Sequence, residues 1–292
     1  MLKEIQRDFI IGDEWLYYKI FCGHSASNKI LTEILKPLSE EFLAEKLIKQ
    51  WFFIRYNNPS YHIRYRVQIT DIESIGYIIK KINVHLRNFI SNELIWTVEV
   101  DTYKREIERY GRNTMLISEN IFYLDSCMVS NFIESLNNEE TYTKSLFGLR
   151  LMKFYLDSFD ISLHEKLKFT ESLKNSFYKE FSSEKDIKKQ LDKLFNDNQA
   201  TINTSLSSNI NKSNSLTKSI FPYKKEIQKN IRIITALQKK NALEIDIYHL
   251  ISSYIHMSVN RLFISNNRLH ELTLYDFLWR HYKKVYFKSI NS

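Results

Sequence analysis

Two arginines, Arg64 and Arg66, stand two residues apart in a stretch whose alternation of apolar and polar residues is typical of a β-strand. Since side chains alternate between the two faces of a strand, His62 and Gln68 are predicted to share one face with both arginines. The opposite face would carry Tyr61, Ile63, Tyr65, Val67 and Ile69. A guanidinium binds a carboxylate through two parallel hydrogen bonds, so the pattern favours an anion-binding face. A cationic face that is merely solvated is the alternative.

Carboxylates and cations also stand close together after the last predicted strand. In residues 103–111, YKREIERYG, Glu106 and Arg109 are three residues apart and would share one face of a helical turn. The pair could act on a substrate, or it could be a structural ion pair. Glu119 and Asp125 interrupt the apolar helix that follows, and we interpret them as helix caps or as partners of nearby cations.

A single histidine, His256, interrupts the otherwise apolar helical stretch of residues 252–262. Its imidazole is the group in this stretch whose unperturbed pKa suits proton transfer near neutral pH. His249, two turns earlier, and Asn260, one turn later, are predicted on the same side of the helix. A core histidine with satisfied hydrogen bonds is the alternative interpretation.

The first third of the chain must position the arginine strand, and predicted strands and helices alternate there. Strands are expected at residues 14–22, 51–56, 61–69 and 94–102, with helices at 27–50 and from 71 to about 86. The order βαββαβ is the ferredoxin-like arrangement, whose two helices usually cover one face of an antiparallel sheet. We therefore expect Arg64 and Arg66 on the other face, pointing toward the C-terminal helices.

The rest of the chain is predicted to be helical. Helices are expected at residues 115–136, 141–159, 162–181, 184–195, 222–241, 244–264 and 272–287. Residues 196–218 are rich in Asn, Ser and Thr and are predicted to be mostly a flexible connection. The predicted fold class is α+β, with a ferredoxin-like sheet portion at 14–104 and a helical portion at 105–292 packed on it. Together they would form one domain over residues 1–292.

Composition narrows the class of protein. With 43% hydrophobic residues the 292-residue chain can bury a proper core, and its net charge of +8 fits an anionic partner or substrate. No run of about 18 apolar residues predicts a membrane span, and the N-terminus lacks the apolar core of a signal peptide. Cys22 and Cys127 stand in apolar surroundings, which indicates free thiols in a reducing compartment such as the cytoplasm. No Cys and His cluster has zinc-like spacing, and we predict no metal or cofactor.

Five motifs, taken in order, bear a family resemblance. They are WFFIRY, HIRYR, TYKREIERYG, SENIFYLDS and SYIHMSVNRLF. The series resembles the C-terminal domain of class I lanthipeptide dehydratases, and the stand-alone proteins of thiopeptide biosynthesis that are built on the same domain. The resemblance runs from about Trp15 to Tyr286.

The resemblance implies a reaction and a set of catalytic residues. In that family a larger region transfers glutamate from glutamyl-tRNA to Ser or Thr of a precursor peptide, and this domain eliminates it to leave dehydroalanine or dehydrobutyrine. By resemblance, Arg64 and Arg66 are active-site arginines, Glu106 and Arg109 form the E-x-x-R pair, and His256 is the catalytic histidine. The chemistry agrees, because β-elimination needs a base and cations that bind the developing charge and the departing carboxylate. Which group is base and which is acid stays open.

The resemblance also implies partners. We expect a separately encoded protein without the glutamylation region, acting with a glutamyl-tRNA-dependent enzyme on a leader-bearing precursor peptide, with no direct tRNA binding required. A homodimer is left open. The sequence departs from the family pattern at two positions that bear on loop geometry. Arg112 stands where the family commonly has a second glycine after RYG, and Lys104 stands where the family often has an acidic residue after TY.

Two other functions are compatible with the sequence. One is a thiopeptide cyclase, which joins two dehydroalanines into a six-membered nitrogen ring and resembles the same fold. The other is a non-catalytic module that binds RNA or peptide through a basic sheet, although its strands carry no Gly-aromatic motif of the RNA-binding type. Retention of both strand arginines and of the His256 motif favours elimination.

Overall fold

The computed structural model describes residues 5–136, 141–181 and 186–291. Its strands are β1 (Asp8–Phe9), β2 (Trp15–Cys22), β3 (Ile48–Asn57), β4 (Tyr61–Ile69), β5 (Ile95–Val100) and β6 (Tyr103–Lys104). Four of them form an antiparallel sheet in the order β3-β4-β2-β5, and β1 pairs with β6. This order is that of a ferredoxin-like sheet, so the α+β prediction is confirmed.

The N-terminal helices cover the apolar face of the sheet. They are α1 (His24–Ile30), a π-helical turn (Leu31–Leu35), α2 (Lys36–Ala44), a 3-10 turn (Ile72–Ser74) and α3 (Ile75–Ser91). The hydroxyl of Tyr65 on β4 is hydrogen-bonded to that of Ser39 on α2 at 2.7 Å. The first predicted helix extended too far, because residues 48–50 belong to β3, where Ile48 is buried and pairs with Ile69.

The remaining helices begin with α4 (Ile107–Tyr110), α5 (Met115–Glu134), α6 (Thr141–Ser158) and α7 (Leu163–Glu180). They continue with α8 (Ile187–Ser207), α9 (Lys224–Lys239), α10 (Ile247–Leu262) and α11 (Asn267–Ile290). The start of the helix predicted from residue 184 lies outside the described residues. No helix within the described ranges is long and apolar enough to cross a membrane.

The predicted flexible connection at residues 196–218 is wrong for its first half, because α8 continues to Ser207. The Asn, Ser and Thr content of this part suggested disorder. However, Leu191, Phe195, Ile202 and Leu206 recur at helical spacing and are buried, so the helix is held by its apolar stripe. The polar residues occupy much of the rest of its surface.

The chain forms two compact units. The sheet unit comprises Met1–Asn137 and Ala236–Leu250, and the helical unit comprises Asn138–Thr235 and Ile251–Ser292. The sheet unit thus includes α4 and α5 in addition to the four-stranded sheet. The single domain predicted for residues 1–292 stays a prediction.

Candidate active site

Arg66 lies in the middle of the sheet and is surrounded by aromatic rings. On β4 it pairs in register with Tyr17 of β2 on one side and Phe52 of β3 on the other. Its guanidinium carbon is 4.1 Å from the ring centroid of Tyr17, 5.1 Å from that of Tyr103 and 5.3 Å from that of Phe52. Such ring faces attract a cation. The aromatic cage formed by Tyr17, Phe52 and Tyr103 therefore fixes the position of the charge.

The charge of the Arg66 side chain is buried. The residue is only 8% exposed, and in the described part of the chain its Nε has no hydrogen-bond partner and no carboxylate forms an ion pair with it. Burial lowers the pKa of Arg66, while Glu106 is near enough to favour its charged form and Arg64 opposes it. Burying an unpaired charge is costly, and ring faces cannot accept its in-plane N–H groups. A guanidinium in these surroundings has N–H groups with which it can bind an anion.

Arg64 is held beside Arg66 by a neutral histidine. Its guanidinium carbon lies 3.5 Å from the ring centroid of Tyr56, and its Nε donates to Nε2 of His62 at 3.1 Å. The Nδ1 of His62 is 2.8 Å from the carbonyl oxygen of Ser60, so Nδ1 carries the ring proton and Nε2 accepts. Burial lowers the pKa of His62, which keeps it neutral and able to accept from Arg64. The sequence placed His62 on this face but gave no sign of this role.

Lys19, a cation beside Arg64 on the same face of the sheet, is paired with carboxylates, unlike the two arginines. Lys19 pairs in register with Arg64, and its ammonium contacts Asp101 and lies 3.9 Å from Glu99. The hydrogen bond from Lys19 lowers the pKa of Asp101. Lys19 is therefore neutralised by carboxylates, whereas Arg64 and Arg66 have no ion pair among the described residues.

Glu106 and Arg109 form the ion pair that their spacing predicts. Nη1 of Arg109 lies 3.4 Å from Oε2 of Glu106, and the two side chains are 32% and 56% exposed. A pair this exposed contributes little to stability, so both groups can change partners when a ligand binds. Glu106 precedes the short helix α4, and its charge reaches Arg66.

A buried ion pair holds the segment that carries Tyr103. Nε and Nη2 of Arg105 each donate to Glu119 at 2.7 Å, and the hydroxyl of Tyr103 donates to Glu119 at 2.8 Å. Both charged side chains are almost fully buried. The interpretation of Glu119 as the partner of a nearby cation is confirmed. Because Tyr103 also faces Arg66, this pair helps to hold the aromatic cage.

The departure at Arg112 has a structural explanation. Gly111 has φ +75°, a conformation that favours glycine, and a Cβ there would lie 3.2 Å from Ile245 and Thr114. Arg112 does not have a positive φ, and its backbone N–H donates to Glu244 at 2.7 Å. A second glycine is therefore not required at this position.

His256 is paired with a carboxylate that the sequence analysis missed. Its Nδ1 lies 2.8 Å from Oε2 of Glu271, a residue of α11 that is 3% exposed. Because a carboxylate oxygen accepts, Nδ1 donates, and in the neutral form of the imidazole Nε2 is then the accepting nitrogen; within the described residues Nε2 has no partner. The side chain of His256 is 28% exposed. Glu271 lies 15 residues later on another helix, so no spacing rule could have linked the two.

The predicted site residues divide between the two units. Arg64, Arg66, Glu106 and Arg109 belong to the sheet unit, where Arg66 lies within electrostatic range of Arg64 and Glu106. His256 belongs to the helical unit together with Glu271. The catalytic roles that the resemblance implies for these five residues stay predictions.

Residues 15–282 match the protein family described as the C-terminal part of lantibiotic biosynthesis dehydratases. Because the match covers most of the chain, this chain belongs to that family. The family is a part of the lantibiotic dehydratases, which are enzymes that make antibiotics from ribosomal peptides. The resemblance noted in the sequence is thus confirmed.

Two curated relatives share part of the chain. Subtilin biosynthesis protein SpaB of Bacillus subtilis is 25% identical over 179 residues, which are 60% of this chain and 17% of SpaB. Nisin biosynthesis protein NisB of Lactococcus lactis subsp. lactis is 30% identical over 138 residues, 46% of this chain and 13% of NisB. The matched part is therefore a small fraction of either relative.

Solved structures share the fold. The tRNA-dependent lantibiotic dehydratase MibB from Microbispora sp. 107891 superposes with a TM-score of 0.66 at 16% identity, covering 100% of this chain and 29% of MibB. The pyridine synthase TbtD from thiomuracin biosynthesis gives a TM-score of 0.65 at 13% identity, covering 94% of this chain and 99% of TbtD. At these identities the likeness is one of fold.

Proposed function

We propose that this protein eliminates glutamate from glutamylated Ser or Thr of a ribosomal precursor peptide, giving dehydroalanine or dehydrobutyrine. The observation that carries the proposal is Arg66, a buried guanidinium with no counter-ion among the described residues. It lies beside Arg64 on a strand face where Lys19 is already neutralised. A glutamyl ester supplies the carboxylate that such a site lacks. Family membership supports the same reaction class.

The proposed step breaks the Cα–H and Cβ–O bonds, and it forms the Cα=Cβ double bond and a bond between the proton and the base. A base removes the α-proton of the glutamylated residue, the electron pair forms the Cα=Cβ double bond, and the Cβ–O bond breaks to release glutamate as a carboxylate. We assign proton removal to Nε2 of His256, which Glu271 orients through Nδ1. Arg66 and Arg64 bind the departing carboxylate. We assign Glu106 and Arg109 the role of balancing the charge around the bound glutamyl carboxylate.

The reaction requires a glutamylated substrate, and this requirement defines the proposed partners. A glutamyl-tRNA-dependent enzyme would transfer glutamate to a leader-bearing precursor peptide, and the present protein would then act on that peptide in the cytoplasm. The aminoacylated tRNA would be used by the partner, so direct tRNA binding is not part of this proposal.

A second candidate is pyridine formation by cycloaddition of two dehydroalanines. The observation that favours it is the shared fold with the pyridine synthase TbtD, of which this chain covers 99%. Cycloaddition, however, has no departing glutamate, and so it gives Arg66 no carboxylate to bind.

One experiment separates these functions. The precursor peptide is incubated with the glutamylating enzyme, glutamyl-tRNA and either this protein or buffer, and the products are analysed by mass spectrometry. We expect glutamylated peptide without the protein and dehydrated peptide with it. Ring formation from a peptide that already contains dehydroalanine would identify a cyclase. Salt-dependent RNA binding without turnover would identify a binding module.

A further inference from the structure

The helical unit contains a cationic cavity that the proposed elimination does not use. It has a volume of about 190 Å³ and lies among α6, the end of α8 and the start of α9. Its charged lining residues are Arg150, Lys153, Asp157 and Lys224. Three cations and one carboxylate give these walls a net charge of +2.

Arg150 is a rigidly held cation with unused donors. The residue is 3% exposed, and its Nη1 donates to the carbonyl oxygens of Ser205 at 2.7 Å and of Leu206 at 3.2 Å, near the end of α8. Over the described ranges its Nε has no hydrogen-bond partner, and no carboxylate pairs with it. The guanidinium is thus anchored on one side and unsatisfied on the other.

The one carboxylate of the cavity is already neutralised. Asp157 accepts hydrogen bonds from the ammonium groups of Lys153 at 2.5 Å and Lys166 at 2.6 Å. Although burial alone would raise it, these two bonds lower the pKa of Asp157, so the group stays ionised and bound to the lysines. Lys224 has no ion pair among the residues that the structure describes. The cavity therefore keeps an excess of positive charge.

We propose that this cavity binds the phosphate group of a small phosphomonoester. A phosphomonoester carries about −1.5 to −2 charges near pH 7, which offsets the net charge of +2 better than a monocarboxylate does. Arg150 and Lys224 supply the charged donors, and the exposed Ser207 at the rim adds a hydroxyl. The anion would give Arg150 the charged partner that it lacks among the described residues.

The test is calorimetric titration with inorganic phosphate at constant ionic strength, set with chloride. We expect saturable binding to the wild-type protein. Lys224→Gln removes one charged donor and should weaken binding about ten- to a hundredfold, the range for one charge-assisted contact. Lys229→Gln is the matched control, because Lys229 is exposed on the same helix, pairs with Glu226 and does not line the cavity.

Three results would overturn the proposal. They are no saturable phosphate binding by the wild-type protein, equal binding by the Lys224→Gln and Lys229→Gln variants, or glutamate binding as tight as phosphate binding with the same loss in Lys224→Gln. Arg150 also caps α8, so Arg150→Gln serves as evidence only if thermal unfolding shows it folded; the Lys224→Gln result stands without it. No peptide substrate is present in the titration, so it is independent of the elimination assay.

Discussion

At the scale of the residue, the candidate site depends on two arginines that form no ion pair with any carboxylate in the described part of the chain. The alternation of β4 predicted that Arg64 and Arg66 share a face. It could not predict the aromatic cage, because Tyr17 and Tyr103 come from distant parts of the chain and only sheet register brings them to Arg66. A cage of ring faces attracts the cation but leaves its N–H groups available for a substrate carboxylate.

Substitution of Arg66 tests this arrangement. Arg66→Ala should make glutamylated peptide accumulate, with elimination slowed about ten- to a hundredfold for the loss of one charge-assisted contact of about 1.5–3 kcal/mol. Arg66→Lys should also be impaired, because an ammonium lacks the planar pair of donors. Arg87→Ala, at an exposed arginine of α3, is the control. Unchanged dehydration by Arg66→Ala would assign Arg66 a structural role.

The His256–Glu271 pair provides a second prediction at this scale. His256→Ala should lower the elimination rate by about 10²- to 10⁴-fold, the usual contribution of a general base, with little change in the melting temperature. Glu271→Gln keeps an acceptor for Nδ1 but removes the negative charge, so a smaller loss is expected. The assay pairs peptide mass spectrometry with thermal unfolding. Early melting, or elimination at the wild-type rate, would remove His256 from the mechanism.

At the scale of the element, apolar periodicity was a better guide than polar composition. It predicted the four strands of the sheet and most of the helices, because each element buries one face or stripe. Residues 196–207 were misjudged, since their Asn, Ser and Thr content suggested a flexible connection while Ile202 and Leu206 continue the buried stripe of α8.

The extent of α8 can be tested by a stability measurement. Ile202 is fully buried, so Ile202→Ala should lower the free energy of unfolding by about 2–5 kcal/mol through lost burial and the cavity left behind. Thr201→Ala, at the exposed neighbouring position, should change it by no more than about 0.5 kcal/mol. Denaturant unfolding measures both. Equal, small effects would mean that this segment is the flexible connection after all.

At the scale of the whole molecule, the sequence predicted the fold class and family but not the contacts between distant elements. The ferredoxin-like order of strands and helices can be predicted from local sequence, because stretches with strand-like and helix-like spacing of apolar residues alternate along the chain. The Arg105–Glu119 pair and the His256–Glu271 pair join different elements, and no local pattern specifies them.

Two histidines, the half-buried His270 and the buried His281, give the molecule a predictable pH dependence. Burial lowers the pKa of His270 and of His281 to about 4, whereas an ordinary histidine titrates near 6.5. Below pH 6.5 the unfolded chain therefore binds protons that the folded chain does not. Stability should fall as the pH drops from about 6.5 to about 4, by at most about 1.4 kcal/mol per pH unit for each histidine.

Denaturant unfolding at a series of pH values measures this effect. The His270→Gln/His281→Gln double variant should show a shallower loss of stability over the same range, because neither side chain can then bind a proton. An equally steep loss in the double variant would assign the acid sensitivity to other groups.

In the proposed function, glutamate leaves by elimination at the arginine site. The most direct measurement takes purified glutamylated precursor peptide, without tRNA or glutamylating enzyme, and quantifies released glutamate and dehydroamino acids together. We predict that the wild-type protein releases both in a one-to-one ratio and that Arg66→Ala slows both equally. Unchanged peptide, or glutamate released with Ser and Thr restored by hydrolysis, would contradict the claim.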